Sequence, residues 1–489
     1  MRFEMARHLN QLKRESARMA HRGAALGSAL DRATLEAAAP EVPPPEFSPI
    51  DYVHFLLYID AEIEHGLMVQ YLYAAYSLGG PQVPEAYRAK IRGWQEVILG
   101  IAKEEMGHLI SVQNILRLLG GPLDFGRDDF PWTTLFYPFP FSLEPLTLES
   151  LAAYVYAESP VNWTGEDADE VKRIVKEIAA EPHQVSALFE KMIRLVKDPN
   201  FIPDELFQPE TWPYQAHWDE WGRGYMGGNR GDATGANPSG APNVLVMPVA
   251  SRDDAVDSLA QIAEQGEDTS TADPTKLSHF ARFLKIFHEM KELLPVCERD
   301  GWRPARNVAS NPYITADDGD VPTAARSCGR TMDAITNELT QRWANLFNVR
   351  YRMLLNFLTH SYDLAGAQGH VGPRSPRATV INATFGEMYN LRAIANILVQ
   401  TPLSDDAHAA GKTAGPPFQM PYTLRRPMGE ANRWRLHKEL LLAARPLISE
   451  LLAKSPETWH RYLKSMNEAD HELLGLIDRI LHGYAQTTL

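Results

Sequence analysis

The stretch Gly100 to Gly121, GIAKEEMGHLISVQNILRLLGG, decides how the chain is read, because it sets carboxylates and a histidine inside what is otherwise a buried helix. Glu105 and His108 are three residues apart and share a helical face with Ile98, Ile101, Val112 and Ile115, so both are expected to point inward. An unpaired carboxylate in such a place costs several kcal/mol, and the remedies are a cationic partner, protonation or a metal. Upstream, Leu56, Ile59, Ile63, Leu67, Tyr71 and Ala75 recur at helical steps between Asp51 and Leu78, which predicts a long amphipathic helix. Glu64 falls on its apolar stripe, whereas Glu62 lies about 200° round the helix. Each of these two helices stops at a GGP sequence, at Gly79 to Pro81 and Gly120 to Pro122, so they are expected to form an antiparallel hairpin.

The rest of the chain reads as helices joined by long connections. Patterns recur at about 148–158, 167–197, 252–264, 278–294, 331–362, 384–398, 433–452 and 456–481, which makes the expected class all-α. The prolines of APEVPPPEFSPI end an N-terminal arm, so residues 1–47 read as arm and linker, 48–300 as a first helical unit and 301–489 as a second. Residues 121–146 are too rich in proline and aromatics for a helix and read as an ordered packing loop. VLVMPV, 244–249, is a possible short strand. The preceding glycine-rich stretch reads as a surface excursion or lid, since it lacks the spacing of a phosphate loop.

Composition excludes several functions. The chain has 489 residues, 44% of them hydrophobic, and a net charge of -14, which argues against nucleic acid or an anionic membrane as the main partner. Its two cysteines, Cys297 and Cys328, form no CxxC, so neither a disulfide framework nor a thiolate zinc site is expected. No stretch of about 18 apolar residues and no signal-peptide pattern is present, which places the protein in the cytoplasm as an expectation.

There is one internal echo. EIEHGLMVQYLYAAYSL (62–78) shares its apolar spacing with NVRYRMLLNFLTHSYDL (348–364), and EEMGHLISVQNILRLLGGP (104–122) resembles GEMYNLRAIANILVQTP (386–402). Arg350 stands near the position of Glu64, and Asn390 replaces the histidine; a duplicated hairpin would have kept its packing and lost the polar set, and chance similarity between amphipathic helices is the alternative.

A glutamate from one helix and Glu-x-x-His from its neighbour form half of the carboxylate-bridged di-metal site of ferritin-like four-helix bundles. Carboxylate and imidazole donors suit iron or manganese. In this order, IDAEIEHGLMVQYLYAAYSL, IAKEEMGHLISVQNILRLLGGP, IAEQGEDTS and SHFARFLKI resemble the ferritin-like domain of iminophenylpyruvate dimer synthases of violacein-type biosynthesis and of related stand-alone proteins, over roughly residues 50–290. The resemblance implies a helical bundle with a metal site, two iron ions or else manganese, and an oxidoreductase in specialised metabolism that acts with dioxygen or peroxide on a small organic substrate. It also implies a first half-site of Glu64, Glu105 and His108, with Glu105 bridging. Where a second E-x-x-H belongs, the chain has Glu264-Gln265-Gly266-Glu267, and the next histidine is His279; Glu264, Glu267 and His279 are the candidates there, with Glu190 as an outlier. Glu264 and Glu267 as exposed helix-end acids, and His279 as part of a helix cap, are the alternatives. Iron storage and a partner-binding protein with a vestigial site remain rival functions, and a homo-oligomer is left open.

Overall fold

A computed structural model describes residues 43–127, 137–179, 184–221, 244–267, 277–314, 331–366, 375–406, 411–421 and 423–487. The N-terminal arm up to residue 42 and the glycine-rich excursion at 222–243 lie outside these. Among the described residues the chain is helical, with isolated β-bridges and no strand. No helix among them is long and apolar enough to cross a membrane.

Helix α1, Pro49–Ser77, starts at Ser48, whose hydroxyl accepts from the Asp51 N–H, with proline at the first position, where its missing donor costs nothing. Gly79 and Gly80 then turn the chain with φ of 82° and 116° into α2, Glu85–Leu118. The two helices pack along their lengths as the expected hairpin. Further elements follow before the second pair: α3, Leu148–Ala157, with a Thr147/Ser150 capping box; α4, Glu166–Ile178; α5, Ser186–Lys197; two short 3-10 helices, Asp204–Leu206 and Pro209–Tyr214; and a single α-turn at Trp218–Trp221. The pattern at 167–197 is therefore two helices. Of the loop before α3, residues 128–136 lie outside the described residues; in the described parts Phe125, Tyr137, Phe139 and Phe141 are buried. Helices α6, Arg252–Glu267, and α7, His279–Asp300, both reach α2, while α3 backs α7 and α5 joins α6 to α1.

The segment 244–249 is extended but pairs with no strand. It lies along α2, where Ser111 Oγ donates to Leu245 O at 3.1 Å and Asn114 Nδ2 to Met247 O at 2.9 Å. Side chains replace the ladder.

Helices α8, Glu338–Ser361, α9, Pro376–Leu398, α10, Glu430–Lys454, and α11, Glu457–Thr487, pack together in the second half. That half covers the face of α1 that an amphipathic helix would show to water. From Tyr52 to Ser77 no residue of α1 is exposed, and Glu62 is buried as well as Glu64. His65 bonds the Tyr351 hydroxyl, Tyr73 donates to Ala309 O at 2.5 Å, and Tyr362 donates to Ile110 O at 2.9 Å. Arg377 grips Glu220 with two bonds of 2.8 and 2.7 Å.

The sequence echo has a counterpart in three dimensions. The positions matched to Glu64, Glu105 and His108 are Arg350, Glu387 and Asn390, and these meet across α8 and α9. Arg350 Nη1 lies 3.0 Å from Glu387 Oε1, and its guanidinium binds Asp470 of α11 through two bonds of 2.7 and 2.5 Å. Asn390 Nδ2 donates to Glu387 Oε2 at 3.2 Å. Arg350 is wholly buried, and it neutralises two carboxylates that have no other cation among the described residues. Arg350→Met is expected to destabilise the chain by about 3–5 kcal/mol at neutral pH, because it strands both acids in the core. Unpaired buried carboxylates have raised folded pKa values, so the loss should shrink as pH falls toward 4.5 and protons replace the guanidinium. Denaturant titrations at several pH values check both.

Candidate metal centre

Helical register brings α1, α2 and α7 together around Glu105. Its Oε2 lies 2.8 Å from His108 Nδ1, which is also 3.4 Å from Glu64 Oε2. Its Oε1 lies 2.7 Å from His279 Nδ1, which is 3.6 Å from Glu158 Oε2. Glu105, His108 and His279 each offer one donor atom, all within 4.8 Å of one another. The imidazoles are stacked, with centroids 5.3 Å apart. All five residues are buried.

Both imidazoles turn Nδ1 inward and Nε2 outward. His108 Nε2 meets Gln265 Oε1 at 2.9 Å, and His279 Nε2 meets Glu104 Oε2 at 3.1 Å, which Arg282 holds in turn. Such outer partners take the Nε2 proton and leave Nδ1 as the free donor. Ser278 caps α7 by accepting from the Ala281 N–H, and this sets His279 at the first helical position. Tyr71 donates to Glu158 Oε1 at 2.5 Å, tying an aromatic of the α1 stripe to the centre.

Several inward atoms lack a hydrogen bond: Glu64 Oε2, Glu105 Oε1, His279 Nδ1 and both oxygens of Asp60. The 2.7 Å contact between Glu105 and His279 is short but off the hydrogen-bond line, so proximity there is not satisfaction. A cavity of about 20 Å³ lies among Glu64, Glu105, His108, Glu158 and Glu267. That is room for one water or one ion. Buried orphan oxygens and nitrogens around an ion-sized space are what a bound cation would satisfy, so the donor set fits a metal.

The charges are coupled. Burial pushes the His108 imidazolium down, but Glu105 and Glu64 outweigh it and hold its pKa up to about 10. His279 is likewise held well above the imidazole range, chiefly by Glu105 against burial. Burial would raise Glu105, yet His279 and His108 hold it well below the carboxylate range. Glu64 and Asp60 go the other way, raised by burial and by Glu105.

The second-half-site candidates separate. His279 sits in the cluster, and Glu267 lines the cavity, raised to about 7 mainly by burial. Glu264 is exposed and apart from it: the lining positions on α6 are Ile262, Ala263, Gly266 and Glu267, and residue 264 turns off that stripe. Glu190 is exposed on α5. Glu158 and Asp60 are placed here by the fold without a motif to announce them. Asp60, one helical turn before Glu64, was visible in the sequence as an acid on the same face.

A family profile described as Ferritin-like matches residues 58–288. This segment is a ferritin-like domain. Its match covers α1 to α7 but for the ends, and so encloses the whole Glu/His cluster. Among curated proteins the chain is similar to dichlorochromopyrrolate synthase of Lentzea aerocolonigenes, at 28% identity over 73% of this chain and 35% of that protein. It is also similar to 2-imino-3-(indol-3-yl)propanoate dimerase of Chromobacterium violaceum, at 24% identity over 74% of this chain and 33% of that protein. The chain thus spans about a third of the length of these relatives. A crystal structure of a ferritin-like protein from Caulobacter vibrioides aligns with a TM-score of 0.39 and 14% identity, over 72% of this chain and 96% of that one.

Gly107, beside His108, is where the extended segment crosses α2. A Cβ there would stand 2.6 Å from Leu245 O and 2.9 Å from Leu245 N, both backbone atoms. Gly107→Ala is therefore expected to lower stability by about 1–3 kcal/mol. Thermal denaturation beside Gly93→Ala, where a Cβ meets nothing within 4 Å, isolates the clash from the helix-propensity change.

Proposed function

We propose that this chain is an iron-dependent oxidase of a small, amino-acid-derived substrate, with Glu64, Glu105, His108, Glu158 and His279 holding the metal and Glu267 at its rim. The observation that carries the reading is the set of buried, unbonded donor atoms around an ion-sized cavity in a ferritin-like domain. The names of the two curated relatives, a synthase and a dimerase of an imino acid, point to oxidative coupling as the reaction class. Joining two such molecules through a new C–C bond at the expense of two C–H bonds releases two electrons and two protons, which dioxygen takes up. Iron at this centre would supply the electron transfer to dioxygen; manganese suits the same donors.

The protein's own part is orientation and exclusion of water. Gln265 and Glu104 fix the two imidazoles with Nδ1 inward, and Tyr71 fixes Glu158. Leu67, Ala157, Val185, Phe189 and Ile262 line the same cavity as the carboxylates and make its wall largely apolar. An aromatic amino-acid derivative does not fit a cavity of about 20 Å³. It would approach instead by the rim of Phe189, Gly266 and Glu267 between α5 and α6. We propose further that residues 48–300 form the metal-bearing unit and 301–489 a supporting helical unit.

Metal content by inductively coupled plasma mass spectrometry tests this directly. Protein from iron-supplemented cells should hold about one or two irons per chain. Glu105→Ala/His108→Ala should hold none, Glu158→Ala should lose most of it, and Glu264→Ala should keep it all. Absence of stoichiometric metal in the unaltered chain overturns the reading, while uptake far above two per chain would favour a store. Protons on the imidazoles compete with a cation, so apparent affinity should strengthen as pH rises from about 6 to 9. Titration of apoprotein with manganese at fixed pH values measures that trend.

A further inference from the structure

A second cavity, about 210 Å³, opens at the turn between α1 and α2. It has room for roughly seven waters at ~30 Å³ each, far more than the ion-sized space at the metal centre. Its polar lining is three arginines and two amides: Arg88, Arg92 and Gln95 from α2, Arg306 from the connection after α7, and Asn396 from α9. The position is some twelve to sixteen residues along α1 from Glu64, roughly 20 Å by helical rise, so a ligand here does not share the metal centre.

Arg306 is built into place. Its backbone N–H donates to Ser77 O at 2.8 Å, and the Gly79 N–H donates to Pro304 O at 2.9 Å, which pins the connection to the end of α1. Its guanidinium lies against Gly80, where a Cβ would be 2.9 Å from Nη1. Any side chain at residue 80 would displace it, and the φ of 116° there already favours glycine. The Arg306 Nε is buried with no partner, and burial alone, with no carboxylate to oppose it, pushes its pKa down. Arg92 has no ion pair among the described residues, and neither has Arg392, one turn before Asn396 on α9. Arg88 bonds Val83 O through Nε at 3.2 Å and meets Glu85, the one acid among the described residues that pairs with the group. In a chain of net charge -14, Arg92 and Arg306 line this cavity without, among the described residues, carboxylates like those that neutralise Arg350 and Arg377.

We propose that this cleft is an anion site for a phosphate group, taken as free phosphate or as the head of a phosphate monoester. Guanidinium forks match the paired oxygens of a tetrahedral oxyanion, and two or more arginines favour a dianion over a single carboxylate. Gln95 and Asn396 add amide donors, and the Arg306 Nε gains the acceptor it lacks. A bound phosphate would also join α2 of the first half to α9 of the second.

Isothermal titration calorimetry of the full chain at low salt tests this, with inorganic phosphate, phenyl phosphate and acetate as probes at matched ionic strength. Saturable binding of phosphate or phenyl phosphate at one site per chain is expected, weakened roughly tenfold or more by Arg306→Gln and by Arg92→Gln, and unchanged by Arg173→Gln, whose partner is the surface Glu177. Phenyl phosphate binding tighter than phosphate identifies a monoester as the source, and equal affinities identify the free ion. Arg92 is exposed, so its variant keeps the test valid if Arg306→Gln fails to fold. No saturable heat up to about 10 mM phosphate, acetate binding as tightly, or binding indifferent to both arginine variants overturns the site.

Discussion

A carboxylate taken into a helix core forfeits its hydration, and the chain must restore several kcal/mol for each one. This chain buries Asp60, Glu64, Glu104, Glu105 and Glu158 within one bundle. The positive groups against them are His108, His279 and Arg282. Arg282 serves Glu104, and the two imidazoles divide Glu105 between them. Glu64 and Asp60 are left with least compensation, which is why their pKa values rise while that of Glu105 falls. Protonation is the cheapest way to carry such groups without a cation, and it leaves oxygens free to become ligands. The outward hydrogen bonds of both histidines have meaning only against this demand, since they hold the ring nitrogens toward the acids.

The same demand explains the position of α1. A helix carrying Asp60, Glu62, Glu64 and His65 in six residues would be expected to show one face to water. Here it has no such face after Asp51, because the connection at 301–314 and the helices of the second half close over it. One side of α1 presents Glu64 to the cluster, and another presents His65 to Tyr351. Polar residues on two sides of one helix thus serve two different interfaces, and the hydrophobic core runs without interruption from Val53 through Tyr351 to Met466. Substituting along α1 therefore perturbs both halves of the chain at once.

How much of this was legible in the sequence follows from the range of each interaction. Glu105 and His108 lie three apart on one helix, and Glu64 is on its hairpin partner, so local periodicity was enough to bring them together. The fold itself was legible for the same reason. The second side of the centre was harder, because α6 and α7 are separated from α2 by more than a hundred residues and carry no clean motif. There, an i to i+3 spacing drew attention to Glu264, although helical phase on α6 turns that residue outward and puts Gly266 and Glu267 at the cavity. Glu158 had no local signal at all: it is the C-cap of the ten-residue helix α3, and only the packing of α3 on α7 carries it to His279. The extended 244–249 segment looked like a strand because apolar β-formers prefer extended backbone, but its polar partners are the side chains of Ser111, Asn114 and Gln215. The closed face of α1 was invisible for a different reason, since it depends on contacts across nearly three hundred residues.

The two hairpins together show what one substitution does to such a core. At the matched positions one has Glu64, Glu105 and His108, the other Arg350, Glu387 and Asn390. A glutamate at residue 64 adds negative charge and leaves the set short of cations. An arginine at residue 350 supplies a fixed positive charge with five donors, enough to hold Glu387 and Asp470 without help. With the charge balanced, histidine has no task at 390, and asparagine only steadies Glu387. A guanidinium cannot be removed, exchanged or reduced, so the second centre is closed by its own side chains. The first relies on protons carried by its carboxylates and imidazoles, which a cation can displace, and this makes exchangeability, rather than burial or packing, the physical difference between the two halves.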